Sequence, residues 1–257
     1  MALKITNAGE TNVGMKRAHN EDNYLELPEE DLYLVADGMG GHSSGEVASQ
    51  IAVEAVSNFF KATKQDSEIT WPYKMDKNRP YDENRFIMSV KLANLRIHEA
   101  AQREARYRGM GTTLAGMNFV DGHVLVSHVG DSRVYLVRQG KMSQITEDHS
   151  LLNDYIKAKK LTAEEIENFP HKNVIVRALG MKDTVLVDLS RHVVQPGDLY
   201  LGCSDGLSGM LTDDDMLKIV MASGGDLKKA CSDLIAGANA NGGVDNITVV
   251  LARVESV

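Results

Sequence analysis

Two cysteines, five prolines, one tryptophan and no long apolar run leave several protein classes without support in this 257-residue chain. Cys203 and Cys231 are too few for a disulfide framework and have no zinc-site spacing. The scarcity of proline, with no internal repeat, argues against a long linker and points to one compact unit, a single domain over residues 1–257. No apolar stretch approaches the roughly 20 residues that cross a bilayer. Met1-Ala-Leu-Lys-Ile-Thr6 also lacks the charged-then-apolar order of a secretory signal. A cytoplasmic protein without a membrane partner is the expectation. Basic excess is missing too. The net charge of −8 argues against nucleic acid as a partner, because phosphate-backbone binding needs a basic stripe. Monomer is the default oligomeric state.

What is present starts with Leu32-Tyr33-Leu34-Val35-Ala36-Asp37-Gly38-Met39-Gly40-Gly41-His42. Its apolar, β-compatible run reads as a buried strand that stops on an aspartate, and the glycines after it let the backbone come close to whatever that aspartate binds. The pattern returns at Val129-Gly130-Asp131-Ser132, at Gly202-Cys203-Ser204-Asp205-Gly206 and at Gly243-Val244-Asp245-Asn246. Asp121-Gly122 is the internal control, since there the dipeptide only joins two strands as a hairpin turn.

Around these strand ends the periodicity predicts the rest. Lys4–Ala8 reads as a short edge strand, followed by a polar cluster from Arg17 to Asn23. Ser43 to Glu46 fits a capping box, and Val47, Ala48, Ile51, Ala52, Ala55, Val56, Phe59 and Phe60 then form one buried helical stripe. Residues 63–82 read as a long loop. A second helix over Asp82–Ala105 buries Phe86, Val90, Ala93, Ile97 and Ala101. Strands are predicted at Thr112–Val120, His123–Val129, Arg133–Arg138, Lys141–Ile145, Val185–Leu189, Leu199–Cys203 and Ile247–Val254. Helices are predicted at about Ser150–Lys159, Ala163–Asn168, Asp213–Met221 (capped by Thr212) and Asp226–Ala240. Consecutive hairpins without βαβ crossovers make this an antiparallel α+β architecture with helices outside.

Oxygen-only ligands, without histidine pairs or thiolates, suit Mg²⁺ or Mn²⁺. Clustered carboxylates repel one another unless cations hold them together. Two cations sharing one carboxylate lower the pKa of a bridging water and clamp a phosphoryl group.

The chain resembles the metal-dependent protein phosphatase family, the type 2C serine/threonine phosphatases, in its compact bacterial-style form. Six motifs carry the resemblance in order: Arg17-x-x-Asn20-Glu21-Asp22, Asp37-Gly38-Met39-Gly40-Gly41, Gly111-Thr112-Thr113, Val129-Gly130-Asp131-Ser132-Arg133, Cys203-Ser204-Asp205-Gly206-Leu207 and Asp245-Asn246-Ile247-Thr248. The resemblance implies a four-layer α/β/β/α sandwich, with two antiparallel sheets flanked by helix pairs and a flap at about 148–182. It implies hydrolysis of phosphoserine and phosphothreonine in proteins by a hydroxide bridging two Mn²⁺ or Mg²⁺ ions. Asp37 would bridge the two ions, with the Gly38 carbonyl on one and Asp205 and Asp245 on the other. Glu21 and Asp22 would hold metal-bound waters, and Asp131 with Asp205 would match a third, weaker metal site. Arg17 would grip the substrate phosphate; Asn20 and Asn246 would be supports. Partners would be phosphorylated proteins, including a serine/threonine kinase or its substrates.

One position departs from the pattern. Many family members carry a histidine after the Asp-Gly of the second motif, where this chain has Met39. His42 is a candidate replacement as proton donor, and a metal-bound water is the alternative. In the flap, His171, Asn173 and Arg177 face substrate or stabilise the flap itself. A second reading of the whole chain is a catalytically silent relative that binds phosphoproteins or a kinase. Such relatives usually lose one of the aspartates, and all are present here.

Overall fold

In the computed structural model, residues 3–40, 44–65, 70–71, 73–159, 161–162, 165–166, 169 and 174–257 are described. The strand Leu32–Ala36 sets the layering, because every one of its residues is buried. Leu32, Leu34 and Ala36 enter a core shared with helices, while Tyr33 and Val35 enter a second core between two sheets. Period-two alternation with both faces apolar is what a strand needs when it is covered on both sides.

The first half of the chain contributes β1 (Lys4–Asn12), β2 (Asn23–Leu27), β3 (Leu32–Ala36), β4 (Gly38–Met39), α1 (Ser44–Gln65) and α2 (Tyr81–Arg103). There follow β5 (Gly111–Thr112), β6 (Leu114–Val120), β7 (His123–Val129), β8 (Arg133–Arg138), β9 (Lys141–Gln144) and α3 (Leu151–Lys159). The last part holds β10 (Asp188–Val193), β11 (Leu199–Cys203), α4 (Asp205–Ser208), α5 (Asp213–Ala222), α6 (Leu227–Ala240) and β12 (Ile247–Ser256). One five-stranded sheet runs β1-β12-β11-β8-β9 and the other β10-β7-β6-β3-β2, with β4 and β5 as a two-stranded ladder beside them. All the pairings are antiparallel.

Helices α1 and α2 cover the β3 sheet, and Phe60, Phe86, Val90, Ala93 and Ile97 fill the space between. Helices α5 and α6 cover the β12 sheet through Met216, Val220, Leu234 and Ile235. Between the sheets, Tyr33, Phe119 and Tyr200 meet edge to face. The result is the four-layer α/β/β/α sandwich. Thr212 caps α5 by accepting from the Asp215 amide, as its sequence pattern predicts, and Asp226 caps α6 in the same way.

Some elements differ from the sequence expectation. The strand expected at Val185–Leu189 lies instead at Asp188–Val193, on the edge of its sheet; its outer face is polar, so no apolar run marks it. The strand expected over Thr112–Val120 breaks at Thr113, whose amide donates to the Asp37 carbonyl at 2.8 Å and pulls the chain out of the sheet. The edge strand expected to end at Ala8 continues to Asn12 along β12. Strand β2 and the one-turn α4 were not expected at all. Ser43 of the capping box, and most of the helix expected near Ala163–Asn168, lie outside the described residues.

Candidate active site

The two sheets deliver their chain ends to one place. Asp37 follows β3 and Asp22 precedes β2, in one sheet; Asp205 follows β11 and Asp245 precedes β12, in the other. Asp131 sits where the chain crosses from β7 to β8, and so from sheet to sheet. Register confirms the common edge, with Cys203 opposite both Val249 and Arg133, and Asn23 opposite Ala36.

Two glycines make the close approach possible. A Cβ on Gly206 would lie 1.9 Å from the Asn246 carbonyl, and one on Gly38 would lie 2.3 Å from the carbonyls of Glu21 and Gly45. Any side chain at either position would push the backbone segments apart.

The carboxyl groups feel one another. Asp37 is held far above the ordinary carboxylate range, first by burial and then by the charges of Asp22, Asp205, Asp131 and Asp245. Asp205 is raised by burial and by Asp245, an effect opposed by the neighbouring Asp37 carboxyl and by the charges of Arg17 and Arg133. Asp131 is pushed up to about 7 by burial and then by Asp205 and Asp148. Asp22 is also pushed up to about 7 by burial, although two hydroxyls donate to it. Glu21 is raised by burial. Such a cluster favours any positive charge that can enter it.

Neutral side chains hold the acids in place. The Asp22 Oδ2 accepts from Ser204 Oγ at 2.8 Å and from Thr248 Oγ1 at 2.7 Å. The Asp37 amide donates to Thr113 Oγ1 at 3.0 Å, and Thr113 Oγ1 lies 2.6 Å from Ser132 Oγ. Thr112 Oγ1 donates to the Asp37 carbonyl at 2.8 Å. Asn246 accepts from the Glu21 amide and donates to the carbonyls of Val13 and His19, stapling the Arg17–Asp22 loop to β12. Asn20 accepts from the Asp22 amide and donates to Thr11. Both asparagines are supports in this geometry. The hydroxyl residues had no role assigned from sequence; their motif positions were the only signal.

At the rim, the exposed Arg17 donates to Asp245 Oδ2 at 2.6 Å. Beside it opens a cleft of about 390 Å³ lined by Asp131, Arg133, Asp148, Ser208, Met210 and Asp245, among others. Arg133 is fixed by a forked ion pair to Asp148, with contacts of 2.7 to 3.1 Å. Met39 lies in β4, paired with Gly111, and has no proton to give. His42, His171 and Asn173 lie outside the described residues. Arg177 donates to Asp188 Oδ1 at 2.7 Å, which ties the flap to β10. Cys203 is buried and its thiol is pushed up to about 12 by that burial, consistent with inert core.

The donor set fits hard divalent cations. It is all oxygen, it carries more negative charge than one pocket tolerates, and the buried Asp131 Oδ1 has no hydrogen-bond partner among the described residues. A second group, His128, His149 and Asp188, brings ligand atoms within 4.8 Å of one another. There His149 Nδ1 accepts from the Gly130 amide at 3.0 Å, and Nε2 lies 3.2 Å from Asp188 Oδ2 and 3.0 Å from Arg177 Nη1. The Arg177 guanidinium already occupies Asp188 and the Nε2 side of His149, and His128 Nε2 is bonded to the Glu147 carbonyl, so the group reads as structural.

The profile of the Protein phosphatase 2C family matches residues 15–236. The chain belongs to that family. The protein phosphatase PhpP of Streptococcus pneumoniae is 37% identical over 244 residues, 94% of each chain. The serine/threonine phosphatase PstP/Ppp of Mycobacterium tuberculosis superposes with a TM-score of 0.86 at 32% identity, covering 99% of this chain and 100% of that one. The PstP catalytic domain in complex with two manganese ions gives 0.82 at 31% identity, with 99% and 100% covered. As a member of the protein phosphatase 2C family, the chain is a serine/threonine protein phosphatase dependent on Mn²⁺ or Mg²⁺. Among the described residues, no helix is long and apolar enough to cross a membrane.

Proposed function

We infer that Asp37, Asp205 and Asp245, with the Gly38 carbonyl, hold the paired cations of this phosphatase, and that Asp131 serves a third. The meeting of strand ends carries this reading: Asp37 and Asp22 from one sheet and Asp205 and Asp245 from the other, with Asp22 Oδ2 accepting from Ser204 beside Asp205 and from Thr248 in β12. The bound cations supply a water acidified to hydroxide near neutral pH and a clamp for the phosphoryl oxygens. Everything else is done by this chain. Glu21 and Asp22 present carboxyl oxygens at the inner wall. Arg17, with N–H donors to spare beyond the one on Asp245, orients the phosphate, a task its planar fork suits better than an ammonium. With Met39 in the motif, His42 is proposed as the proton donor to the leaving oxygen. The domain is one catalytic unit with its flap at about 148–182.

The substrates proposed are phosphoserine and phosphothreonine proteins that a serine/threonine kinase produces, in cytoplasmic signalling, with the phosphatase as a monomer. Phosphate release from a phosphothreonine peptide, stimulated by Mn²⁺, tests the activity. Hydrolysis that ignores a chelator, or cleavage of a diester alone, would reject it. The ligand assignment is tested by Asp205→Asn, which should stay folded by circular dichroism yet lose turnover; a fully active variant removes Asp205 from the site.

A further inference from the structure

A second cavity, of about 520 Å³, lies beside the acidic cleft and is lined by Met39, Val176, Arg177, Met181, Lys182 and Leu186, among others. Its walls are chemically opposite to those of the first. Among the described residues lining it, Arg177 and Lys182 are the only charged side chains, with no carboxylate among them. In a protein of net charge −8, whose neighbouring cleft is lined by aspartates, that polarity selects an anionic visitor.

The cavity is also apolar where apolar surface is costly. Val176, Met181 and Leu186 are 47%, 56% and 68% exposed. Clustered exposed apolar side chains of this size mark a binding surface more often than an ordinary one.

Its position says what binds. Met39 is two residues from Asp37, and consecutive Cα atoms are 3.8 Å apart, so the cavity wall begins within about 8 Å of the metal-site aspartate backbone. Backbone bonds tie the opposite wall to the same motif. Leu179 and Thr112 exchange both backbone hydrogen bonds, at 2.8 and 3.2 Å, and Thr112 Oγ1 holds the Asp37 carbonyl. A polypeptide whose phosphoresidue sits at the aspartates advances about 3.3 Å per residue when extended. A side chain two or three positions away therefore reaches the cavity.

We propose that the cavity between Met39 and residues 175–186 is a substrate subsite, which takes an apolar side chain flanking the phosphorylated residue, with an acidic neighbour facing Lys182. This rests on the phosphatase activity and names the substrate sequence that activity prefers. Arg177 is engaged with Asp188 and His149 and shapes the floor, whereas Lys182 has no ion-pair partner among the described residues.

The test uses the full chain with Mn²⁺, p-nitrophenyl phosphate, and phosphothreonine peptides that differ at single flanking positions. A leucine two or three residues from the phosphothreonine should raise kcat/KM about tenfold over serine there, the scale of burying one such side chain. An adjacent glutamate should help and a lysine should hurt. Leu186→Glu and Met181→Ser should lower the ratio of peptide to p-nitrophenyl phosphate kcat/KM by about tenfold, mostly through KM. Lys182→Glu should invert the preference between glutamate and lysine. Thermal melts show whether each exposed-site variant is folded, and Leu186→Ser replaces Leu186→Glu if it is not. A peptide ratio indifferent to both leucine and Leu186 overturns the subsite while leaving the phosphatase standing. A dimer in sedimentation that Leu186→Glu dissociates, with the peptide ratio unmoved, overturns it in favour of a second copy of the chain. Absence of Mn²⁺-dependent hydrolysis of either substrate overturns the underlying activity instead.

Discussion

His149 grips Gly130 from both of its faces: the Gly130 amide donates to the His149 Nδ1 at 3.0 Å, and the His149 amide donates to the Gly130 carbonyl at 2.9 Å. Gly130 immediately precedes Asp131, so the flap's first residues set where that aspartate stands. The His149 ring is itself buried, stacked on His128 with centroids 4.6 Å apart.

His149→Ala should therefore destabilise the fold by about 3 kcal/mol, because it removes a buried ring and leaves the Gly130 amide without its acceptor. Urea unfolding measures that loss. The same variant should raise the Mn²⁺ concentration needed for half-maximal activity, and His149→Asn, which restores an acceptor near Nδ1, should recover part of both.

Asp131→Asn gives a pH signature. The folded protein holds the Asp131 carboxyl at about 7, above its ordinary value, so the neutral form is the one the fold favours. Its contribution to stability is present at acid pH and is lost as pH rises from about 4 through 7. In chelator-treated protein at pH 8, Asp131→Asn should be more stable than the parent by roughly 2–4 kcal/mol, a gain that vanishes toward pH 4. Saturating Mn²⁺ should reverse the order at pH 8. Thermal melts at several pH values, with and without the metal, read both effects.

Gly206→Ala places a Cβ in the space of the Asn246 carbonyl and forces the Asp205 and Asp245 segments apart. Stability should fall by about 3 kcal/mol or more. The folded fraction should bind Mn²⁺ weakly in isothermal titration calorimetry, a loss that stability alone does not explain.

Arg17→Lys separates grip from structure. The Arg17–Asp245 pair is exposed, so its loss should change stability by less than about 1 kcal/mol. KM for a phosphopeptide should rise about tenfold, since an ammonium cannot fork onto two phosphate oxygens. Steady-state kinetics beside a thermal melt distinguishes the two.

Much of this molecule was legible before any coordinates. The five core positions of α2 follow from helical spacing, because a helix against a sheet has one apolar stripe and nothing else to satisfy. The four aspartates were legible because one form recurs, apolar strand then carboxylate, and Asp121-Gly122 shows what the form looks like when it is only a turn; both residues there have positive φ, as a tight hairpin requires. Strand β10 was misplaced because Ser190, Arg191 and His192 show nothing of an edge strand whose outer face is wet. The hydroxyls of Thr113, Ser132, Ser204 and Thr248 were silent for another reason. A short polar side chain gains its role only when a distant strand brings a carboxylate or amide to meet it, and chain order does not record that meeting. Trp71 is similar: it packs between Phe59 and Tyr81, a use of the long loop that no local pattern announces.

Strand β12 lies between β1 and β11, and Asp245 stands at its entrance. A nascent chain released at residue 240 would own four of the five aspartates and both helices of the first layer, yet its earliest strand would have no neighbour and its acids no common floor. With Asp245 proposed as a cation ligand, catalytic competence waits on β12 entering the slot between β1 and β11.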